Sequence, residues 1–173
     1  MANTYVALAK STPSGVATVS LSAIPQTYTD LVLTISFRDN QGAGNFTDYV
    51  YVQVNGSTTT HTLTNLQGNS SATSSTRYTT GTYWFARSDA GGNTTNTFSS
   101  HEFYIANYAN GNYKSACYTG VVEGNSTTAG NTYIQPNADL WSTTSAITSL
   151  TVGSLNSTFA NGTRIDLYGI KSS

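Results

Sequence analysis

The sequence predicts an all-β domain, and three observations favour it. Apolar residues recur at every second position over several short stretches, which is the pattern of a strand buried on one face. Clusters of Gly, Asn, Ser and Pro separate these stretches, as turns do. No stretch has apolar residues at helical spacing, and abundant Ser, Thr and Asn disfavour helices. About eight to ten short strands predict a β-sandwich or β-barrel, with residues 1–173 as one domain.

The alternation is clearest in two stretches. In residues 29–37 one face carries Leu31, Leu33, Ile35 and Phe37. In residues 48–54 a row of valines lies opposite tyrosines. Further strands are predicted over residues 4–9, 16–21, 58–66, 78–86, 101–107, 113–123, 147–152 and 165–168.

Turns and loops are predicted from local composition. Asn55-Gly56 predicts a hairpin turn, because both residues tolerate positive φ. The polar stretches 67–77 and 88–97 read as long exposed loops.

Charge is scarce. Only 9% of the 173 residues are charged and the net charge is −1, against roughly a quarter charged in ordinary domains. Seven Lys and Arg form no basic stripe, so we expect no nucleic-acid partner. No apolar run is long enough for a bilayer, so no membrane is expected, and residues 1–6 show no secretory signal. The single cysteine, Cys117, excludes an intrachain disulfide.

No group of residues has the spacing of a metal, cofactor or catalytic site. The two histidines are far apart in sequence, and no serine lies in a nucleophile elbow. His101 shares the strand face of Phe103 and Ile105, which predicts a hydrogen-bonded histidine at the core edge. His61 lies among threonines and is expected to be exposed. Cys117 is expected to be a buried thiol.

The carboxylates are scattered singly. Glycosidase chemistry needs two of them flanking one bond. Here they lie mostly at strand ends or in loops, where an aspartate commonly caps a turn; they are Asp30, Asp39, Asp48, Asp89, Glu102, Glu123, Asp139 and Asp166. We therefore expect no enzyme activity and no catalytic, cofactor-binding or metal-binding residues.

Tyrosines are more informative. The alternation places Tyr49, Tyr51, Tyr104 and Tyr108 on the faces opposite apolar rows. Outward tyrosines suit a protein interface or a platform for sugar rings. Burial of both strand faces explains them equally well.

Four blocks of the sequence carry a resemblance to a known family. Residues 23–33 (AIPQTYTDLVL) form the first block, and residues 103–108 (FYIANY) followed by Lys114 form the second. The third is residues 140–150 (LWSTTSAITSL), and the last joins residues 159–163 and 167–171. In this order they resemble blocks of tailed-bacteriophage virion structural proteins. The resemblance implies a two-sheet antiparallel sandwich of jelly-roll type, located in the virion after synthesis in the host cytoplasm.

Two roles fit this family. A capsid decoration (cement) protein would bind the major capsid protein and stabilise the assembled shell. Low charge favours this role. Because Met1 lies directly before the first predicted strand, we also expect no shaft segment of the kind that a fibre would need. The alternative is a tail-fibre or baseplate module that binds host glycans, with Trp84, Trp141 and the two long loops as the platform.

Self-association is also expected. The chain has few charges to discourage pairing between exposed sheet edges. Closed symmetry is the usual outcome, and virion geometry favours a homotrimer.

Overall fold

The computed structural model describes residues 4–128 and 131–171, and these form twelve strands. The strands are β1 (Thr4–Ser11), β2 (Thr18–Leu21), β3 (Asp30–Phe37), β4 (Thr47–Val54), β5 (His61–Asn69), β6 (Thr73–Gly81), β7 (Trp84–Asp89), β8 (Ser99–Ile105), β9 (Lys114–Val122), β10 (Tyr133–Trp141), β11 (Leu150–Ser154) and β12 (Arg164–Lys171). The described residues include no helix, and so none that is long and apolar enough to cross a membrane. Residues 1–3, half of the stretch in which a secretory signal was sought, lie outside this range.

The strands form two antiparallel sheets. The large sheet has the order β1-β12-β3-β8-β9-β10-β5-β6, and the small sheet has the order β2-β11-β4-β7. Every ladder between these strands is antiparallel. The prediction of an all-β, two-sheet antiparallel sandwich is confirmed.

One cluster of buried residues fills the space between the sheets. Leu31, Leu33, Ile35 and Phe37 of β3 are at most 2% exposed. Val50, Val52 and Val54 of β4 face them from the small sheet and are fully buried. The strand faces predicted from the alternation in these two stretches are therefore correct.

The predicted loop over residues 67–77 is wrong. Residues 67–69 end β5 and residues 73–77 begin β6, with a three-residue turn between them. The Asn69 side chain forms the turn, because its Oδ1 accepts the backbone N–H of Ser71 and Ala72 at 2.9 and 2.8 Å. Strand β6 is exposed at almost every position, so its polar composition looked like that of a loop.

Strand β10 was not predicted at all. It contains Pro136, which has no N–H to donate and is usually found in edge strands. The ladder to β5 omits Gln135 and Pro136 but resumes in the same register at Asn137, opposite Asn65. A central strand thus tolerates the proline at the cost of a local break.

Two further boundaries differ from expectation. The stretch 78–86 is not one strand, because β6 ends at Gly81 in the large sheet and β7 begins at Trp84 in the small sheet. Asn55 and Gly56 do have positive φ, at 50° and 64°. They nevertheless join β4 to β5, which belong to different sheets, so the turn does not close a hairpin.

The free edge of β7 is closed by side chains of β10 rather than by another strand. The backbone N–H of Arg87 donates to Gln135 Oε1 at 2.6 Å, and Asn137 Nδ2 donates to the carbonyl of Phe85 at 3.2 Å. Asn137 in turn accepts from Asn65 Nδ2 at 2.8 Å. These buried amides satisfy the backbone groups that an edge strand leaves unpaired, and they dock the small sheet onto the large one.

Replacing Asn137 by alanine tests this docking. The change leaves the Phe85 carbonyl and the Asn65 amide without their buried partner, so we expect the free energy of unfolding to fall by about 1–3 kcal/mol. Asn112→Ala, in an exposed turn, is the control and should change it by less than about 0.5 kcal/mol. Denaturant titration of both variants measures the difference. Equal stabilities would contradict a structural role for the amide.

Candidate functional site

A buried Ser–His–Tyr chain lies in the core, and it lacks the features of a catalytic site. His101 Nε2 lies 2.7 Å from Ser99 Oγ, and its Nδ1 lies 2.7 Å from the Tyr118 hydroxyl. Ser99 Oγ donates its own proton to the Phe37 carbonyl at 2.9 Å, so it has none to give to the imidazole. Burial lowers the pKa of His101 to about 3, which leaves the ring neutral. His101 is therefore a hydrogen-bonded core residue, as the sequence predicted.

The predicted exposure of His61 and the predicted burial of Cys117 are both wrong. His61 is fully buried, because its strand face is that of Leu63 and not that of the neighbouring threonines. Its Nε2 accepts the Val54 N–H at 3.2 Å, which links the two sheets. Cys117 is exposed, because the large sheet turns the Cys117 face of β9 towards solvent.

Two carboxylates do meet, but inside the protein. Asp39 and Asp48 are 1% and 2% exposed. Burial, and next the neighbouring Asp48 carboxyl, raise the pKa of Asp39 to about 7. Asp48 accepts from Ser154 Oγ and from the Asn156 N–H, both at 3.2 Å. A sugar cannot reach either carboxylate, so the pair is not a glycosidase site.

The other acidic side chains are candidates as metal ligands and as members of a carboxylate pair. Within residues 4–128 and 131–171, no group of three or more His, Cys, Asp or Glu side chains could hold a metal ion. Asp139 is buried in the core, where burial raises its pKa well above the ordinary range.

The prediction that four tyrosines face outward is correct for three of them and wrong for Tyr108. Tyr49 and Tyr51 do face outward from the small sheet, and Tyr104 is 37% exposed on the large sheet. Tyr108 is fully buried, because the chain turns at Asn107, where φ is 50°, and strand alternation no longer applies.

Neither tryptophan can contribute to a glycan platform. Trp84 is fully buried and Trp141 is 2% exposed. Both belong to the core, and Trp84 Nε1 donates to the Leu140 carbonyl at 3.2 Å. The sequence placed the platform on the wrong aromatic residues.

Half-buried rings, together with the exposed Tyr78, gather instead on the outer face of the small sheet. This aromatic groove consists of Tyr49, Tyr51, Tyr78, Tyr83, Phe85, Arg87 and Tyr133. Phe85 and Arg87 point outward from β7, and Tyr83 directly before the strand continues their row. They alternate with the buried Trp84, Ala86 and Ser88.

Both sheets contribute to the groove. Strands β5 and β6 continue the large sheet past β7, so that Tyr78 of β6 meets Phe85 edge-on at 4.9 Å between ring centroids. From β4, Tyr49 meets Phe85 at 5.5 Å. Tyr51 lies 4.6 Å from Tyr83, and its ring occupies the space that a side chain at residue 153 would fill, which explains Gly153 in β11.

Arg87 lies at one end of the groove between two rings. Its guanidinium is 4.5 Å from the Tyr49 centroid and 5.1 Å from the Tyr133 centroid. Its Nη1 donates to Thr47 Oγ1 at 3.3 Å.

A second surface lies on the outer face of the large sheet. The aliphatic patch consists of Leu66, Val121, Ile134 and Pro136, of which Ile134 is 58%, Leu66 52% and Val121 40% exposed. Val121 and Ile134 are direct cross-strand partners. Strand alternation did not reveal this patch, because β10 was not predicted as a strand.

The buried Asp39–Asp48 pair predicts a pH dependence. Folded Asp39 keeps its proton up to about pH 7, whereas its ordinary pKa is 3.8. The stability that this proton provides is complete below about pH 4 and is lost as pH rises to 7, at no more than about 1.4 kcal/mol per pH unit. Asp39→Asn should remove this contribution from the pH profile of the free energy of unfolding.

Asp139 contributes to the wild-type profile in the same direction, so the difference between wild type and Asp39→Asn isolates the Asp39 contribution. Glu102→Gln, at an exposed carboxylate, should keep the wild-type profile. A constant difference between wild type and Asp39→Asn from pH 4 to 7 would contradict the raised pKa of Asp39.

No protein-family model matches the chain, and no curated protein matches it.

Proposed function

We propose that the chain is a bacteriophage virion structural protein that decorates the assembled capsid and stabilises it by binding the major capsid protein. The four sequence blocks described above support the virion assignment. The observation that carries the decoration role is the aliphatic patch, where Ile134, Leu66 and Val121 are each at least 40% exposed on an open sheet. Exposed apolar patches of this kind mark protein contact sites.

The shape of the surface supports the same role. The patch lies on the open outer face of the large sheet, and two of its residues, Val121 and Ile134, line a shallow depression together with Gly68, Glu123 and Tyr133, among others. A flat, weakly charged face suits a stationary contact made after assembly, in which many copies each add a small contribution.

The jelly-roll assignment belongs to this proposal, and the strand order supports it. Eight strands nest in pairs, with β1 beside β12 and β2 beside β11, and give the orders β1-β12-β3-β8 and β2-β11-β4-β7. The pairs β5–β6 and β9–β10 are then insertions that extend the first sheet.

A tail-fibre or baseplate module that binds host glycans is the second candidate. The buried tryptophans remove the platform that the sequence suggested for it. The aromatic groove favours it instead, because half-exposed tyrosine rings can stack on sugars.

Ile134→Asp tests the decoration role. A charge in the centre of the aliphatic patch would have to be desolvated at the contact, so we expect binding to capsids that lack the protein to weaken at least about tenfold. Val16→Asp adds the same charge at a residue that is 47% exposed before β2, away from the patch, and should bind normally.

Co-sedimentation with purified shells measures binding, and circular dichroism checks that both variants stay folded. Copies found on the tail alone, or equal binding by wild type and Ile134→Asp, would contradict the decoration role.

We also propose that the protein is a homotrimer. Edge strand β6 offers nine residues that are almost all exposed and that include a single charged side chain, Arg77. Long exposed edges of this kind favour association. Light scattering over a range of concentrations should give three times the chain mass, and a monomer both in solution and on the particle would contradict it.

A further inference from the structure

Within residues 4–128 and 131–171, the cation in the aromatic groove has no acidic partner. The ion pairs found among the described residues are Arg38–Asp89 and Arg164–Asp166, and neither involves Arg87. Stacking between Tyr49 and Tyr133 holds the guanidinium in place, and its Nε–H is buried without a hydrogen-bond acceptor. A ligand cannot reach the buried Nε–H, so a carboxylate would bind the Nη groups of this positioned guanidinium, of which Nη1 also donates to Thr47 Oγ1.

The other end of the groove combines aromatic rings with hydroxyl groups. Tyr78, Tyr83 and Phe85 line a depression of about 220 Å³, together with Thr80 and Thr82. The same two threonines lie in an adjoining depression of about 350 Å³, whose remaining lining is further threonines and Gly81. Ring faces can cover the C–H faces of a sugar while threonine hydroxyls exchange hydrogen bonds with its hydroxyl groups.

The chemistry of the groove favours a sugar over a protein. The exposed aliphatic side chains of the large sheet, Leu66, Val121 and Ile134, lie on its outer face and not in the groove. Tyrosine, phenylalanine and arginine are common at protein interfaces as well, so the feature that favours a sugar is the set of threonine hydroxyls beside Tyr83. The groove offers rings, hydroxyls and one cation, which are the groups that a charged carbohydrate can use.

The spacing along the strand also fits an extended ligand. Tyr83, Phe85 and Arg87 succeed one another at every second residue, so Tyr83 and Arg87 are about 13 Å apart along the chain at the usual rise of a strand. The rings and the cation can therefore bind different units of one oligosaccharide.

We propose that the aromatic groove is a binding site for an acidic oligosaccharide, with sugar rings on Tyr78, Tyr83 and Phe85 and a sugar carboxylate on Arg87. The site goes beyond capsid decoration, because the aliphatic patch lies on a different face. A decorating protein and a tail module can both carry it.

Binding of trigalacturonic acid and of its methyl ester tests the proposal, because the two probes differ in charge and hardly in shape. Isothermal titration at low salt should show that the acid binds wild type at least about tenfold more tightly than the ester. Arg87→Gln should remove this preference, and Tyr83→Ala should weaken binding of both probes at least about tenfold. Tyr113→Ala, at a tyrosine that is 58% exposed before β9, should bind like wild type.

Several results would overturn the proposal. One is that wild type binds neither probe at millimolar concentration. Another is that wild type binds the acid and the ester equally well. A third is that Arg87→Gln still prefers the acid to the ester as wild type does. Loss of capsid binding in folded Tyr83→Ala would show that the groove contacts protein instead. Because Ile134→Asp tests capsid binding separately, failure of the sugar site and failure of the decoration role can be told apart.

Discussion

The docking of β7 onto β10 is the interaction on which the rest of the structure depends. A sandwich made of sheets with eight and four strands leaves the edge of the smaller sheet with unpaired N–H and C=O groups, which are costly to bury. Here Gln135 supplies the missing acceptor for the Arg87 N–H, and Asn137 supplies the missing donor for the Phe85 carbonyl. The small sheet is thereby fixed against the added strands of the large sheet, and Tyr78 and Tyr133 come to lie beside the outward rings of β7.

Strand alternation then produces two surfaces of different chemistry from neighbouring residues. Tyr133 and Ile134 are consecutive in β10, yet Tyr133 contacts Arg87 in the aromatic groove and Ile134 belongs to the aliphatic patch on the other face. A one-residue shift in register would exchange them. The interrupted ladder at Pro136 keeps the same register on both sides of the break, so the two surfaces stay separate.

Several of the few charges are used inside the protein. Arg38 is buried and donates to the carbonyls of Gly91, Asn93, Thr94 and Thr97 at 2.8–3.2 Å, which holds the segment between β7 and β8. Lys114 is fully buried and donates to the Asn110 carbonyl at 2.8 Å. Asp39 and Asp48 are both buried as well. The surface is therefore even less charged than the composition suggests, and Arg87 stands out on it.

The sequence by itself determined the fold class and the faces of the regular strands, because alternation in β3 and β4 requires one face to be buried. It also identified Tyr49 and Tyr51 as outward and His101 as a core residue. Only the tertiary structure decided the rest. Burial of His61, Tyr108 and both tryptophans depends on which elements cover them, and exposure of Cys117 depends on a sheet face that nothing covers. The aromatic groove and the aliphatic patch both need β10, a strand that the alternation did not predict and whose Pro136 is unusual in a central strand. Its place between β9 and β5 is set by long-range pairing that no local pattern encodes.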